Sequence, residues 1–472
     1  MNRTGVIPIV VAALLAVVLQ PPRLDAQSAG GVTSDEELVA AALEASEEVR
    51  LAGIATQQSQ VQLDQARARR GPQVSGSLDF SYISNPVDPI ILRAGEFGTY
   101  PIGGVDTLMP PQDIRVYDGM ESTLFRLSGV LEQPIFTWGK LDLGVALAEH
   151  SVELSGLQAE QKRFDIELQV RTVAAAIRHL AVMEEIAEEQ TALSADLVDL
   201  VDSLLDAGVG VRTDLLEAQV GSRQAELAER EIVNQLEVQL VTLRRLTGRP
   251  ELGAGELGSP RFGPDDTTEV SDLALPSTED LVAAARAGNP GLAALAQAQV
   301  TAAARTELAR ASQSRRPDFG LRLELSFTGP RIPLEPDWYG QDEFNLTASI
   351  GLQSTLYDGG LLAGDTTLAS LDESSLVEQY STAGDTLEDE IRQAVLATEL
   401  ARARINYLAA NDELLQEKQA TRQREFDAGV GSRDGIVRAE LAVLANRLEI
   451  EQELTTLESR TVALTVLCGM EL

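Results

Sequence analysis

Four stretches of the chain alternate apolar and polar residues with a period of two. Val74, Leu78, Phe80 and Tyr82 alternate with Ser75, Ser77, Asp79 and Ser81. Phe319, Leu321, Leu323, Leu325 and Phe327 alternate with Gly320, Arg322, Glu324 and Ser326. Phe344, Leu346, Ala348, Ile350 and Leu352 alternate with Asn345, Thr347, Ser349 and Gly351. A weaker version runs through Phe125, Leu127 and Leu131. This period gives a strand one apolar and one polar face. Each run is about ten residues, the length of a tilted strand that crosses a bilayer. One such run would suit a half-buried strand of a soluble sheet, whereas four of one length favour membrane strands. Between the paired runs lie 83–120 and 328–342, rich in Pro, Gly and Asp, which read as loops.

Elsewhere the pattern is helical. Ser34 is a predicted N-cap with Glu37 three residues on, and Ser277 with Asp280 takes the same places later. The helical segments they open run to about Arg70 and Arg316, where Pro72 and Pro317 stop them. After each second strand comes a Gly, at 139 or 360, and then two helical stretches. These are predicted over 140–206 and 212–247, and again over 361–427 and 433–468. A helix over 140–206 is about 100 Å long, more than an ordinary globular domain spans. Leu193, Leu197, Leu200 and Leu204 fall on a coiled-coil spacing, as do Leu441, Leu444 and Leu448. No Pro interrupts 135–249 or 337–472.

The two sets of elements form a tandem repeat. Ser34-Asp-Glu-Glu-Leu38 followed by Val-Ala-Ala-Ala recurs as Ser277-Thr-Glu-Asp-Leu281 followed by the same four residues. Asp206-Ala-Gly-Val-Gly210 recurs unchanged as Asp427-Ala-Gly-Val-Gly431, 221 positions later. The same offset carries Leu131 to Leu352, Gly139 to Gly360, Ala218 to Ala439 and Gly248 to Gly469. Helices that must stay in register along their whole length would forbid insertions in this way. The chain therefore divides into a first repeat at 27–248, a linker or equatorial insert at 249–276, and a second repeat at 277–472. Pro250, Pro260, Pro264 and Pro276 rule out a continuous helix in the insert.

Composition narrows the function. Ala, Leu, Glu, Gln and Arg are abundant, and aromatics are only 4% of the 472 residues, which suits long helices packed by small side chains. The formal net charge of −35 excludes nucleic-acid binding through the overall field. Arg3, an apolar run over 6–19 and Leu24-Asp25-Ala26 read as a signal peptide over 1–26. No other stretch is apolar enough for a spanning helix, so any membrane crossing is by strands. The single cysteine, Cys468, excludes an intramolecular disulfide and a multi-cysteine metal site. His150 and His179 lie in helical segments with no Cys or second His nearby, and are expected at the surface or in packing. No catalytic residues, cofactor or metal ligands are expected. Gly253-Ala-Gly-Glu-Leu-Gly258 has dinucleotide-loop spacing, but it sits in the Pro-rich insert and lacks the strand–turn–helix setting.

Four strands cannot close a barrel, and an open sheet in lipid leaves unpaired backbone groups. Three copies would give twelve strands, with the polar faces lining a lumen. The helices would continue the cylinder into the periplasm. A non-pore periplasmic or surface coiled-coil protein, its strands serving as soluble caps, is the alternative.

The order of helix, strand pair and long helical hairpin, repeated twice, resembles the TolC-like outer-membrane efflux family. So do Gln133-Pro-Ile-Phe136 before Gly139, its echo Ser354-Thr-Leu-Tyr-Asp-Gly-Gly360, and the two Asp-Ala-Gly-Val-Gly tips. The resemblance covers essentially all of the chain after residue 26. It implies a mainly α fold with membrane β: a homotrimer whose 12-stranded β-barrel sits in outer-membrane lipid and continues into a periplasmic α-barrel. It also implies an exit duct for an inner-membrane pump, joined to the helical tips by a periplasmic adaptor. Small-molecule efflux and type I protein secretion both fit such a duct.

On this resemblance Gly208, Val209, Gly210, Gly429, Val430 and Gly431 are the adaptor-binding candidates. The glycines also serve the tight helix-to-helix turns. The family's acidic side chains after the second tip, which narrow the periplasmic entrance, correspond here to Gly435 and Arg438, a departure. The first half keeps acid at the matching Asp214 and Glu217, and Asp434 adds a carboxylate beside Gly435. Asp214 and Glu217 are therefore the expected constriction, with Asp434 beside them and Arg433 or Arg438 as partners across the hairpins. Acids also favour helix N-termini on their own account.

Overall fold

The structure, a computed structural model, describes residues 32–117, 119–264, 266, 267, 270, 274–329 and 343–470. The expected signal peptide and most of the second loop, 330–342, lie outside the described residues. The first repeat comprises α1 (Asp35–Ala45), α2 (Glu47–Ala68), β1 (Gln73–Tyr82), β2 (Ile90–Leu92), β3 (Thr99–Ile102), β4 (Val105–Leu108), β5 (Ile114–Tyr117), β6 (Thr123–Phe136), α3 (Lys140–Asp206) and α4 (Arg212–Thr247). The second comprises α5 (Thr278–Gly288), α6 (Pro290–Gln313), β7 (Asp318–Gly329), β8 (Glu343–Gln353), α7 (Leu361–Asp427) and α8 (Arg433–Cys468). Helices α3 and α7 are each 67 residues long, and α4 and α8 each 36. No helix among the described residues is long and apolar enough to cross a membrane.

Two local expectations are corrected. Each opening helical segment is a pair of helices rather than one. Ser46 ends α1 with its amide on the Ala42 carbonyl and starts α2 by accepting from the Val49 amide at 3.3 Å. Asn289 does the same between α5 and α6, accepting from Leu292 at 3.0 Å ahead of Pro290. A side chain that satisfies the new N-terminus offsets the break in the helical ladder. The stretch 83–120, read as a loop, carries two small antiparallel ribbons, β2 with β5 and β3 with β4.

β1, β6, β7 and β8 form one antiparallel sheet in that order. The register aligns like faces across all four strands. Leu78 lies opposite Leu127, Leu127 opposite Phe327, and Phe327 opposite Phe344. Leu131, Leu323 and Ala348 form another such row. The apolar face is bare: Val74, Leu346 and Ile350 are 76%, 66% and 74% exposed. The other face is polar and internally paired, with Arg322 on Glu132 at 2.6 Å and the Ser77 and Ser128 hydroxyls 2.8 Å apart.

Below the sheet the long helices lie side by side. α3 packs on α4, α8 on α3, and α7 on α8, so the row reads α4–α3–α8–α7. The insert is part of this body. Leu252 and Leu257 fill a core with Leu38, Ile177 and Leu243, and Phe262 and Val270 pack with Ile405, Ile450 and Leu454. The Arg178 guanidinium joins this region through Asp35 and the Leu257 carbonyl.

The two repeats meet at α3 and α8, and their contact contains a charge cluster. His179 is fully buried, with Nδ1 2.8 Å from Glu451 Oε2 and Nε2 2.8 Å from Glu458 Oε2. The Arg261 amide also donates to Glu458 Oε2, at 3.3 Å. His179 is therefore a packing residue, and the groups it packs against are carboxylates. Glu451 and Glu458 are seven residues apart on α8, so both carboxylates share one helix face. Burial pulls the His179 pKa down. The hydrogen bonds and charges of Glu451 and Glu458 outweigh it and raise the value from 6.5 to about 9. The imidazolium is thus the bound form, donating from both nitrogens.

Replacing His179 with Leu leaves two carboxylates buried without their cation, at a cost of about 3–5 kcal/mol. The thermal midpoint of the helical signal at pH 7 falls in His179→Leu. The native pKa is raised above that of the unfolded chain, so the stabilisation is full below pH 6.5 and is lost as pH rises through about 9. A pH titration of the midpoint therefore shows an alkaline loss that His179→Leu lacks.

Candidate functional site

The ends of the α3–α4 and α7–α8 hairpins carry the residues that the sequence singles out. Both helices arrive with Ala at the last turn and reverse within five residues. In the first tip the Gly208 amide donates to the Leu205 carbonyl at 2.9 Å, and the Val209 and Gly210 amides both donate to Leu204, each at 3.0 Å. In the second, Gly429 donates to Phe426 at 2.9 Å, and Val430 and Gly431 donate to Glu425 at 3.0 and 2.9 Å. Orphan carbonyls of the long helices are thereby satisfied by the turn itself.

The glycines divide into two kinds. Gly208 and Gly429 both sit at φ 75°, in the left-handed region, with open space around them. Gly210 and Gly431 are not left-handed. Their need is room: a Cβ would meet the Leu205 nitrogen at 3.0 Å in one tip and the Phe426 nitrogen at 2.8 Å in the other. Left-handed geometry thus explains two of the four turn glycines, and close backbone approach explains the other two. Between them Val209 and Val430 project outward, 76% and 83% exposed.

The acids lie one turn beyond. Asp214 occupies the first turn of α4, half-buried, with its amide on the Val211 carbonyl at 3.1 Å, and Glu217 is exposed one turn later. Glu217 and Arg438 line one recess of about 410 Å³ between α3, α4 and α8, together with Ser194, Gly221 and Leu441. The ion pair Arg438 makes is local, to Asp434 on its own helix at 3.6 Å. Among the described residues no ion pair joins Asp214 or Glu217 to Arg433 or Arg438 within the chain. The structure therefore brings Glu217 and Arg438 to one recess and leaves both first-half acids without a basic partner from the second hairpin.

At the other end of α3, where sheet and helices join, the structure assembles a cluster that sequence reasoning missed. Trp138 donates from its indole to the Pro317 carbonyl at 2.9 Å, stacks edge-on against Phe136, and lies beneath Arg316. Lys140 Nζ reaches Asp318 at 2.9 Å. These contacts tie the start of α3 to the start of β7 and so fix the helices beneath the strands. The local signal was an aromatic beside Gly139, but its partners lie in the other repeat.

Comparison with known proteins agrees with this architecture. Residues 38–249 match the family model described as outer membrane efflux protein. No curated protein matches the chain in sequence. Among solved structures, the outer membrane protein VceC of Vibrio cholerae aligns with a TM-score of 0.68 at 18% identity, covering 93% of this chain and 97% of that one. The CmeC outer membrane channel of Campylobacter jejuni gives 0.70 at 16% identity, covering 93% and 86%. The open state of the MtrE outer membrane channel of Neisseria gonorrhoeae gives 0.65 at 15% identity, covering 93% and 89%. At these identities the shared property is the fold. The first repeat thus matches the outer membrane efflux protein model, and the chain as a whole shares its fold with solved outer membrane channels.

Proposed function

We propose that three copies of this chain form an exit duct, which receives substrates from an inner-membrane pump through a periplasmic adaptor and releases them outside. The observation that carries this reading is a four-stranded sheet with one bare apolar face and two unpaired edges. β1 and β8 each have a free side. In lipid those backbone groups must find partners, and β8 of one copy on β1 of the next supplies them. The bare apolar face also argues against soluble caps on a coiled-coil protein. Two copies would close eight strands, whose interior side chains fill, whereas twelve leave a lumen lined by the polar face.

The helices support the same closure. α4 and α7 are the outer members of the helical row and carry unpartnered apolar side chains. Leu216, Val220 and Leu227 are exposed on α4, and Leu396, Leu400, Tyr407 and Leu414 on α7. The spacings of four and seven residues are those of a coiled-coil seam, so α4 of one copy meets α7 of its neighbour. The pump selects between small molecules and unfolded protein. At the tips, Val209 and Val430 present apolar knobs to the adaptor. Above them Asp214 and Glu217 form an acidic ring at the periplasmic entrance, with Asp434 neutralised by Arg438.

Three outcomes follow. Leu346→Arg places a cation on the lipid face at a cost of roughly 2–4 kcal/mol near the midplane. It lowers the yield of heat-modifiable trimer in outer membranes, and an undiminished yield would remove the membrane sheet from the reading. Asp214→Ala raises single-channel conductance and weakens cation preference in planar bilayers; identical traces would sink the constriction. Val430→Glu leaves the trimer and its conductance intact but abolishes cross-linking to the adaptor, and retained cross-linking would move the docking site elsewhere.

A further inference from the structure

Past the sheet, the chain between β1 and β6 builds a two-stranded arm. Its base is set by the Ile83 amide on the Ser122 carbonyl and the Met120 amide on Val87, both 2.8 Å. β2 and β5 form the middle, and Ala94 donates to Asp113 Oδ1 at 2.8 Å. Phe97 then donates to the Met109 carbonyl at 2.9 Å, and β3 and β4 close the tip around Gly103 and Gly104. Both glycines have positive φ, 66° and 86°, as a tight hairpin turn requires. The long helices leave from the opposite end of the sheet, where Gln73 faces Glu132, so the arm stands on the outer side.

The tip is amphipathic. Tyr100, Ile102 and Val105 share one face, since Ile102 lies opposite Val105 and Tyr100 opposite Thr107. All three are more than half exposed, at 56%, 57% and 69%. Asp106, the one charged residue between 97 and 112, points to the other face. A two-stranded ribbon has no second layer with which to cover such a face, and alone it is marginally stable.

We infer that the apolar tip face packs on the same face of neighbouring copies, so that the arms form a collar over the outer mouth. The inference rests on the trimer proposed above. Its occupant is a second copy for two reasons. The arm rises from β1, the free edge that adjoins the next copy, so a neighbouring arm stands within reach. The arm is also acidic, with Asp88, Glu96, Asp106, Asp113 and Glu121 against Arg93 and Arg115. That balance opposes docking on anionic headgroups, whereas the uncharged tip faces meet each other without repulsion.

Cysteine cross-linking in the full-length channel tests the collar, with trimer content read separately from heat-modifiable gel mobility. Val105→Cys, on the apolar face, gives disulfide-linked pairs of chains on oxidation, with one chain of each trimer left free. Asp106→Cys, on the opposite face, does not, and adding Tyr100→Glu to Val105→Cys removes the linked band. Replacing 97–112 by a short Gly-Ser turn raises conductance while trimers persist. Intact trimers with no Val105→Cys cross-link overturn the collar and leave the duct standing. Labelling of the cysteine from a lipid-borne reagent, with no cross-link, assigns the face to the membrane and overturns it likewise. Loss of trimers in the unsubstituted chain would remove the duct and the collar together.

Discussion

Backbone amides and carbonyls inside a bilayer have no water to bond, and each one left unpaired costs several kcal/mol. A chain that offers only four strands to the membrane cannot meet that demand alone. Its sheet is satisfied along three internal seams and open along β1 and β8. The bare apolar face, the polar inner face and the lateral order of the helices beneath are consistent with this one requirement. In the proposed duct, closure by copies of the same chain turns an open sheet into a wall, and the hole it encloses is the functional space.

The repeat is how the chain makes the helical wall continue the strands. α3 and α7 have the same length, and so do α4 and α8, as the staves of the proposed barrel require. The body is nevertheless not two independent halves. α3 and α8 come from different repeats and meet over a buried His179–Glu451–Glu458 cluster. Higher up, Trp138 and Lys140 reach Pro317 and Asp318 across the same divide. The insert fills the remaining space at the waist with Leu252, Leu257 and Phe262.

Symmetry of structure at the tips coexists with asymmetry of charge. The two turns share the hydrogen bonds of their Gly-Val-Gly amides and both uses of glycine. Yet among the described residues the acids that open α4 make no ion pair, while α8 begins with a carboxylate engaged by Arg438. Backbone geometry constrains the turn residues to be the same in both repeats, whereas the first helical turn beyond faces no such steric demand and can diverge.

Much of this was legible along the chain. Period-two alternation located the four strands of the sheet, because alternate side chains face opposite sides of it. The bounds of the four long helices were legible too, because Gly139, Gly360 and the Asp-Ala-Gly-Val-Gly tips punctuate otherwise unbroken helix. The breaks at Ser46 and Asn289 escaped notice, since a capping side chain leaves the helical periodicity on either side undisturbed. The ribbon within 83–120 was hidden because its strands are three or four residues long, too short for a period to show. What only the tertiary structure decided were the pairings: His179 with carboxylates 272 and 279 positions away, Arg438 with Asp434 rather than with Glu217, and the order of strands and helices that leaves four free edges. The physical reason is the range of the forces involved. Burial and turn geometry act on neighbours in sequence and leave a local pattern, whereas a buried charge is matched by whichever group the fold brings within hydrogen-bonding distance.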